Sequence, residues 1–232
     1  MSKYKIISVG GSIIIPKTGF DIQFLKKFRQ LILTRVKKGE KFVLVIGGGA
    51  TCRVYQEALT SVVKLPNTDL HWLGIYTTWY NAEFVRLMFG KYASPFVIKD
   101  PTDEKILKQV QNDKIIIAGG WQPGFSTDTD SVILARQFSA KELLNLSNID
   151  YVYDKDPRKF EDAKKIEKIG WPEFRKKIVG YKWLPGKNSP FDPIASDLAQ
   201  ELGLKVAVLN GNNLKEVEKA LNGKPFKGTI IE

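Results

Sequence analysis

Cysteine and histidine are almost missing: the 232 residues hold one of each, Cys52 and His71. A single cysteine forms no intrachain disulfide and no cysteine-rich zinc site, and a single histidine argues against a histidine-based one. A Ser-His-Asp or Cys-His mechanism would have to run through His71. Long apolar runs are lacking too, since no stretch reaches the roughly 18 residues of a membrane helix. Met1 to Gly11 hold neither the apolar core nor the small-residue cleavage site of a secretory signal. The expected home is the reducing cytoplasm, with no membrane partner. No internal repeat and no low-complexity tract occurs.

A hydrophobic fraction of 43% and a charged fraction of 26% sit close to globular averages, which excludes disorder, collagen and coiled coil. The length suits one domain, or two lobes sharing a sheet. The net charge of +11, from 36 Lys and Arg against 25 Asp and Glu, fits an anionic partner, either nucleic acid or a phosphorylated small molecule. The lysines are scattered in pairs (Lys26-Lys27, Lys37-Lys38, Lys164-Lys165, Lys176-Lys177), which weakens the case for nucleic acid.

One local grammar recurs: a short β-branched run, a glycine turn, then a helical pattern. Ile6 to Val9 runs into Gly10-Gly11, Phe42 to Ile46 into Gly47-Gly48-Gly49, and Ile115 to Ala118 into Gly119-Gly120. Near-continuous apolar strands imply burial on both faces, as in a parallel sheet, and alternation with helices implies an α/β sandwich. Asp21 suits the cap of a helix reaching about Lys38, with Phe24, Leu25, Phe28, Leu31, Ile32 and Val36 on one face. Further helices are expected over about 50–63, 72–89, 192–202 and 214–221, with strands over 143–146, 204–209 and 229–231. The longest irregular stretches are about 154–170 and 180–190, and long loops in a compact α/β fold carry function or move.

Ligands of open α/β sheets sit at the carboxyl ends of the strands, where glycine lets backbone N–H groups approach an anion. One Gly-Gly turn is weak evidence, because glycine also makes room for a tight connection; three in one basic chain favour phosphate binding. The P-loop pattern G-x-x-x-x-G-K-[ST] and the dinucleotide pattern G-x-G-x-x-G are both absent. The stretch Gly119 to Asp130 brings hydroxyls, two aromatic rings, an amide and many backbone donors into one loop. It reads either as a cradle for a planar base or as a plain turn with Asp128 or Thr129 as helix cap. In Ser147 to Pro157, Asn148 and Asp150 suit turn positions, while Tyr153 and Asp156 suit contact with an adenine and a ribose.

Gly10-Gly11-Ser12, Gly47-Gly48-Gly49 with Arg53, the Gly119–Asp128 loop, Ser147–Pro157 and Phe191-Asp192-Pro193-Ile194-Ala195 occur in an order that resembles the amino-acid kinase family, and within it the archaeal type of UMP kinase. Leu73-Gly74-Ile75 followed by Asn81-Ala82-Glu83 resembles that family's long central helix. The resemblance covers nearly all of residues 4–231. It implies a three-layer αβα sandwich on a largely parallel sheet, with an acceptor-binding lobe of about 1–140 and an ATP-binding lobe of about 141–232. It also implies transfer of the ATP γ-phosphoryl to UMP, Mg²⁺ arriving with ATP, and a homohexamer. By position, Gly10, Gly11 and Gly49 would bind ATP phosphates through backbone N–H groups, and Gly48 would touch UMP. Arg53 would reach phosphates between the nucleotides. Trp121, Gln122, Pro123, Gly124, Phe125, Ser126 and Thr127 would hold UMP, Ser147, Tyr153 and Asp156 would line the adenosine side, and Asp192 would stand near the transferred group. Asp192 equally suits a plain helix cap before Pro193.

The chain departs from the family pattern in places. Many members carry a lysine two residues before the first glycine turn, where this chain has Ser8. His71 stands where the family usually places an aspartate on the UMP ribose, with Asp69 two residues away, and Trp79 stands where close relatives have arginine. Two rival readings follow: a kinase of the same fold for another acceptor such as isopentenyl phosphate, and a non-catalytic nucleotide-binding protein.

Overall fold

The protein is described here from a computed structural model covering residues 4–157, 159–182 and 189–232. Strand β1 (Tyr4–Val9) leads into a single helical turn, α1 (Gly11–Ile14). Helix α2 (Ile22–Lys37), strand β2 (Lys41–Ile46) and a pair of helices follow, α3 (Gly49–Val62) and α4 (Asn67–Phe89). Helix α5 (Glu104–Val110), strand β3 (Ile115–Ala118), helix α6 (Thr127–Gln137) and strand β4 (Glu142–Ser147) come next. Short strands β5 (Val152–Tyr153), β6 (Lys165–Ile166) and β7 (Lys168–Ile169) precede α7 (Trp171–Phe174), which continues into one π-helical turn. Then come α8 (Pro193–Glu201), β8 (Lys205–Asn210), α9 (Leu214–Leu221) and β9 (Thr229–Ile231).

Seven strands form one sheet in the order β3-β2-β1-β4-β8-β9-β7, and β5 pairs with β6 apart from it. The five strands from β3 to β8 are parallel; β9 runs antiparallel to β8, and β7 runs parallel to β9. The parity of the strands sorts their side chains between two cores. Ile7, Val9, Leu44, Ile46 and Ile117 face α2, α4 and α9, against Phe28, Ile32, Val85, Phe89 and Val217. Ile6, Val43, Val45, Ile116 and Val208 face the opposite layer, against Val132, Leu134, Phe174, Phe191 and Ala199. Strands buried on both faces explain the near-continuous apolar runs, and the expected α/β sandwich is present.

Asp21 caps α2 as anticipated, accepting the Phe24 N–H at 2.9 Å. Helix α4 begins five residues before the expected 72. Its polar first turn carries no apolar periodicity, so the signal starts only where the helix becomes buried. The loop expected over 154–170 contains β6 and β7, and most of the one expected over 180–190 lies outside the described residues. Among the described residues no helix is long and apolar enough to cross a membrane.

Candidate active site

Four strands end at one edge of the sheet in glycine: β1 in Gly10-Gly11, β2 in Gly47-Gly48-Gly49, β3 in Gly119-Gly120 and β8 in Gly211. The first two turns press directly together. A Cβ on Gly11 would lie 2.1 Å from Gly49 N and 2.5 Å from Gly47 O, and Gly49 has φ +62°. No side chain fits at that contact, so glycine is required there for packing before any ligand is considered.

Their N–H groups divide into two kinds. Gly10 donates to Leu146 O at 2.9 Å and Gly47 to Val9 O at 3.0 Å, which extends the sheet ladder. The Gly10 N–H, expected to meet phosphate, is therefore already committed to β4. The N–H groups of Gly11, Gly48 and Gly49 have no acceptor among the described residues. Asn81, fully buried on α4, donates through Nδ2 to both Gly47 O and Gly48 O at 2.9 Å. In a trans peptide the C=O and the next N–H point in opposite directions. Holding these two carbonyls toward α4 thus turns the N–H groups of Gly48 and Gly49 away from it. The N-terminus of α3 adds its dipole at the same point.

The third turn opens a loop clamped at its root. Gly120 N–H donates to Thr78 Oγ1 at 2.7 Å, Trp79 Nε1–H donates to Gly120 O at 2.6 Å, and Trp121 N–H donates to Asp130 Oδ2 at 3.2 Å. The Trp121 and Phe125 rings stand 5.1 Å apart, and Phe125 N–H closes on Gln122 O at 3.2 Å around Pro123-Gly124. The Lys99 ammonium lies 4.6 Å above the Trp79 ring, a cation–π contact.

Ser126 caps α6, accepting from Asp128 N at 3.0 Å and Thr129 N at 3.3 Å. Asp128 and Thr129, the caps considered from sequence, are instead the residues being capped. The Asp128 carboxyl is free to meet Ser8, whose hydroxyl donates to Oδ1 at 3.3 Å. Asp192 is a cap and more. Its Oδ1 accepts from Ile194 N and Ala195 N at 2.7 and 2.9 Å. Its Oδ2 accepts from the hydroxyls of Ser126 and, at 3.0 Å, Thr129. One 4% exposed carboxylate thus ties the loop to the start of α8.

Three carboxyls crowd this centre. Burial first, then the charge of Asp192, pushes Asp128 up to about 7. Asp130 is completely buried. Burial, together with the charges of Asp192, Asp128 and Asp100, holds its carboxyl well above the ordinary range, against the opposing hydrogen bond from Trp121. Its Oδ1 has no hydrogen-bond partner.

The other expected residues lie on neighbouring elements. Arg53 is exposed on α3, and His71 is half-buried and Asp69 exposed on α4. Ser147 ends β4, and its carbonyl accepts the Gly211 N–H at 2.9 Å. Tyr153 lies in β5, and the Asp156 carbonyl accepts from Lys159 and Phe160 N–H at 3.0 Å. Asp150 is more than a turn residue, accepting from Asn210 Nδ2 at 3.0 Å and pairing with Lys227. The structure joins the loop, Asp192 and the glycine turns into one edge.

Sequence reasoning passed over Thr78 and Gly211, took Asp128 only as a helix cap, placed Asp130 only at the end of the loop and Asn81 only within a helix motif. A signal existed for the acids: Asp128 and Asp130 open a helix buried at every position from 129 to 135, where two carboxyls need a reason.

A sequence profile of the amino acid kinase family matches residues 3–210. The uridylate kinase of Methanocaldococcus jannaschii is 32% identical over 230 residues, 98% of each chain. That of Pyrococcus abyssi is 31% identical over 227 residues, again 98% of each. The crystal structure of the uridylate kinase from Archaeoglobus fulgidus superposes with a TM-score of 0.80 at 23% identity, covering 98% of this chain and all of that one.

Proposed function

The chain belongs to the amino acid kinase family, and from that premise we propose that it transfers the γ-phosphoryl group of ATP to UMP, giving ADP and UDP. The observation that carries this reading is the wiring of the glycine edge. N–H groups of two abutting turns are left unpaired and aimed outward, beside a ring-bearing loop whose hydroxyls are tied to Asp192. Kinases of this name from two archaea align over nearly their whole length.

In this reading the lobe of about 1–140 takes UMP and that of about 141–232 takes ATP. Gly11 and Gly49 donate to ATP phosphates and Gly48 to UMP, while Gly10 shapes the turn. Trp121 to Thr127 hold the uracil, His71 faces the ribose, and Ser147, Tyr153 and Asp156 line the adenosine. Arg53 and Asp192 flank the moving group. Phosphoryl transfer needs in-line positioning and charge neutralisation more than covalent help. The UMP phosphate is ionised at neutral pH, so no general base is required, in keeping with a single histidine. No group of three or more His, Cys, Asp or Glu suited to hold a metal occurs among the described residues. Mg²⁺, arriving with ATP, would be held mainly by the nucleotide phosphates and would supply charge neutralisation there.

We also infer a homo-oligomer, a hexamer by resemblance. Helix α3 buries only Ala50, and Val54, Tyr55, Val62, Tyr76, Tyr80 and Leu87 on α3 and α4 are all exposed, an apolar face of the kind that subunit contact covers. The single unpaired thiol, Cys52, accords with a cytoplasmic home. The deciding assay is ADP release with UMP, CMP, AMP and isopentenyl phosphate. UMP should lead in kcat/KM by roughly tenfold or more, because a site built to hydrogen-bond one base edge rejects others. Equal turnover of CMP or AMP would sink the specificity, preference for isopentenyl phosphate would transfer the assignment to that acceptor, and no turnover of any would leave a nucleotide-binding protein.

A further inference from the structure

Asp130 is an expensive residue for its position. It lies on α6 with no solvent exposure, followed by the apolar run Val132, Ile133, Leu134 and Ala135, all buried. The charged groups that face it are acids from three elements: Asp128 on its own helix, Asp192 at the start of α8, and Asp100 on the segment beside β3. A leucine there would avoid the desolvation and the like-charge repulsion. Among the described residues its carboxyl makes one hydrogen bond, to the N–H of Trp121. That N–H belongs to the first residue of the loop after Gly120, the point where the chain leaves the sheet and begins to present its rings.

The root of this loop has two other holds, both from α4. Thr78 Oγ1 takes the Gly120 N–H and Trp79 Nε1–H takes the Gly120 carbonyl. Thr78 holds the Gly119–Gly120 peptide by its N–H, and Trp79 holds the Gly120–Trp121 peptide by its carbonyl side only. The Asp130 bond holds the N–H side of that same peptide, so the two bonds together orient the departure of Trp121 and its ring pair with Phe125.

We propose that Asp130 is a positioning residue for the acceptor: it touches no substrate, and by holding the Trp121 amide it sets the geometry of the acceptor loop. This rests on the reading of 121–127 as the UMP-holding loop. Burial and the surrounding acids favour the protonated carboxyl, so asparagine is its close neutral mimic, with one oxygen to accept from Trp121.

Two measurements test it. Steady-state kinetics of Asp130→Asn and Asp130→Leu, with UMP and ATP varied separately, should show KM for UMP raised roughly tenfold in the leucine variant, the order expected from orphaning one backbone donor. KM for ATP should stay within about twofold, and the asparagine variant within about threefold of wild type on both. Should leucine prevent folding, Asp130→Ser, too short to reach Trp121, replaces it. The second measurement is amide hydrogen exchange of Trp121, which needs no turnover: protection should be present in wild type and Asp130→Asn and lost in Asp130→Leu. Unchanged Trp121 protection in the leucine or serine variant overturns the proposal, and so does an equal rise in both KM values, or an asparagine variant as impaired as leucine. Absence of UMP turnover by wild type would overturn the functional reading instead, with the exchange result still deciding whether Asp130 holds the loop.

Discussion

Replacing Asp128 with asparagine should make the protein more stable, and more so as pH rises. Asp128 is raised from 3.8 to about 7 by burial and by Asp192. A group whose folded value lies above its unfolded value contributes fully below the unfolded one and loses that contribution as pH climbs to the folded one. Below about pH 4 the neutral acid and asparagine are nearly equivalent. Between about 4 and 7 the wild type is progressively penalised and the variant is not. At about 1.36 kcal/mol per pH step, the full span is about 4 kcal/mol. Asp128 is partly open to water, so about half, roughly 2 kcal/mol, is the working figure. For a chain of this size that is roughly 4–8 °C in Tm.

The assay is thermal unfolding of both proteins in parallel from pH 4.5 to 8.5. The difference in Tm should be near zero at the acid end, grow through neutrality and level off above about pH 7.5. Carboxylates that do not face Asp128 titrate alike in both proteins and drop out of the difference. A constant offset would mean that Asp128 is not perturbed, and a variant that loses stability as pH rises would reverse the sign and refute the argument. The same substitution should lower kcat, since like charges are retained at a buried edge only where they act.

Arg53→Ala should lower kcat by roughly 10²-fold, the order of one charge contact to a transition state, with Tm unchanged because Arg53 is exposed; an effect below about threefold rejects a catalytic part. Gly11→Ala places a Cβ 2.1 Å from Gly49 N, so a loss of roughly 3 kcal/mol or more is expected, and a wild-type Tm would show that the two turns do not abut. Asp192→Asn keeps the α8 cap but removes the charge that Ser126 and Thr129 donate to. A loss of about 1–3 kcal/mol with a steep fall in kcat marks a catalytic role, whereas full activity removes Asp192 from the chemistry.

The parts of the fold legible in the sequence are those set by local physics. Strands β1, β2 and β3 show as near-continuous apolar runs because both their faces are covered. The starts of α2 and α8 show because Asp21 and Asp192 cap them through their own side chains. What escaped depends on distant chain. β5 is two residues long and is held by the Val152 N–H donating to Thr229 Oγ1 at 2.8 Å. β7 exists because β9 pairs with it. Neither has a period to read. Helix α5 did carry a local signal in Asp103, which accepts from Lys105 N and Ile106 N, but seven residues give little periodicity.

At the site, the glycine turns were legible as turns while their hydrogen-bonding state was not. Whether Gly10 offers a free N–H depends on β4 lying next to β1, which no local pattern reports. The same pairing explains the acid centre. Ser8 lies on the Ile6 face of β1, so it looks into the layer that holds α6 and meets Asp128. A lysine at this position would have set a positive charge beside Asp128, opposing the rise that burial causes. With serine there, Asp128 and Asp130 stay raised by burial and by the neighbouring acids. Of the four buried side-chain atoms left without a hydrogen-bond partner among the described residues, Asn81 Oδ1 and Asp130 Oδ1 lie at this edge. Asn81 gives both amide protons to the carbonyls behind the glycine turns, and Asp130 gives its other oxygen to Trp121. In each case one atom of a side chain is left unsatisfied while its partner atom orients a backbone turn. Two apolar cores can bear that cost, and the edge where local energetics are worst is the edge where the outward-facing donors are gathered.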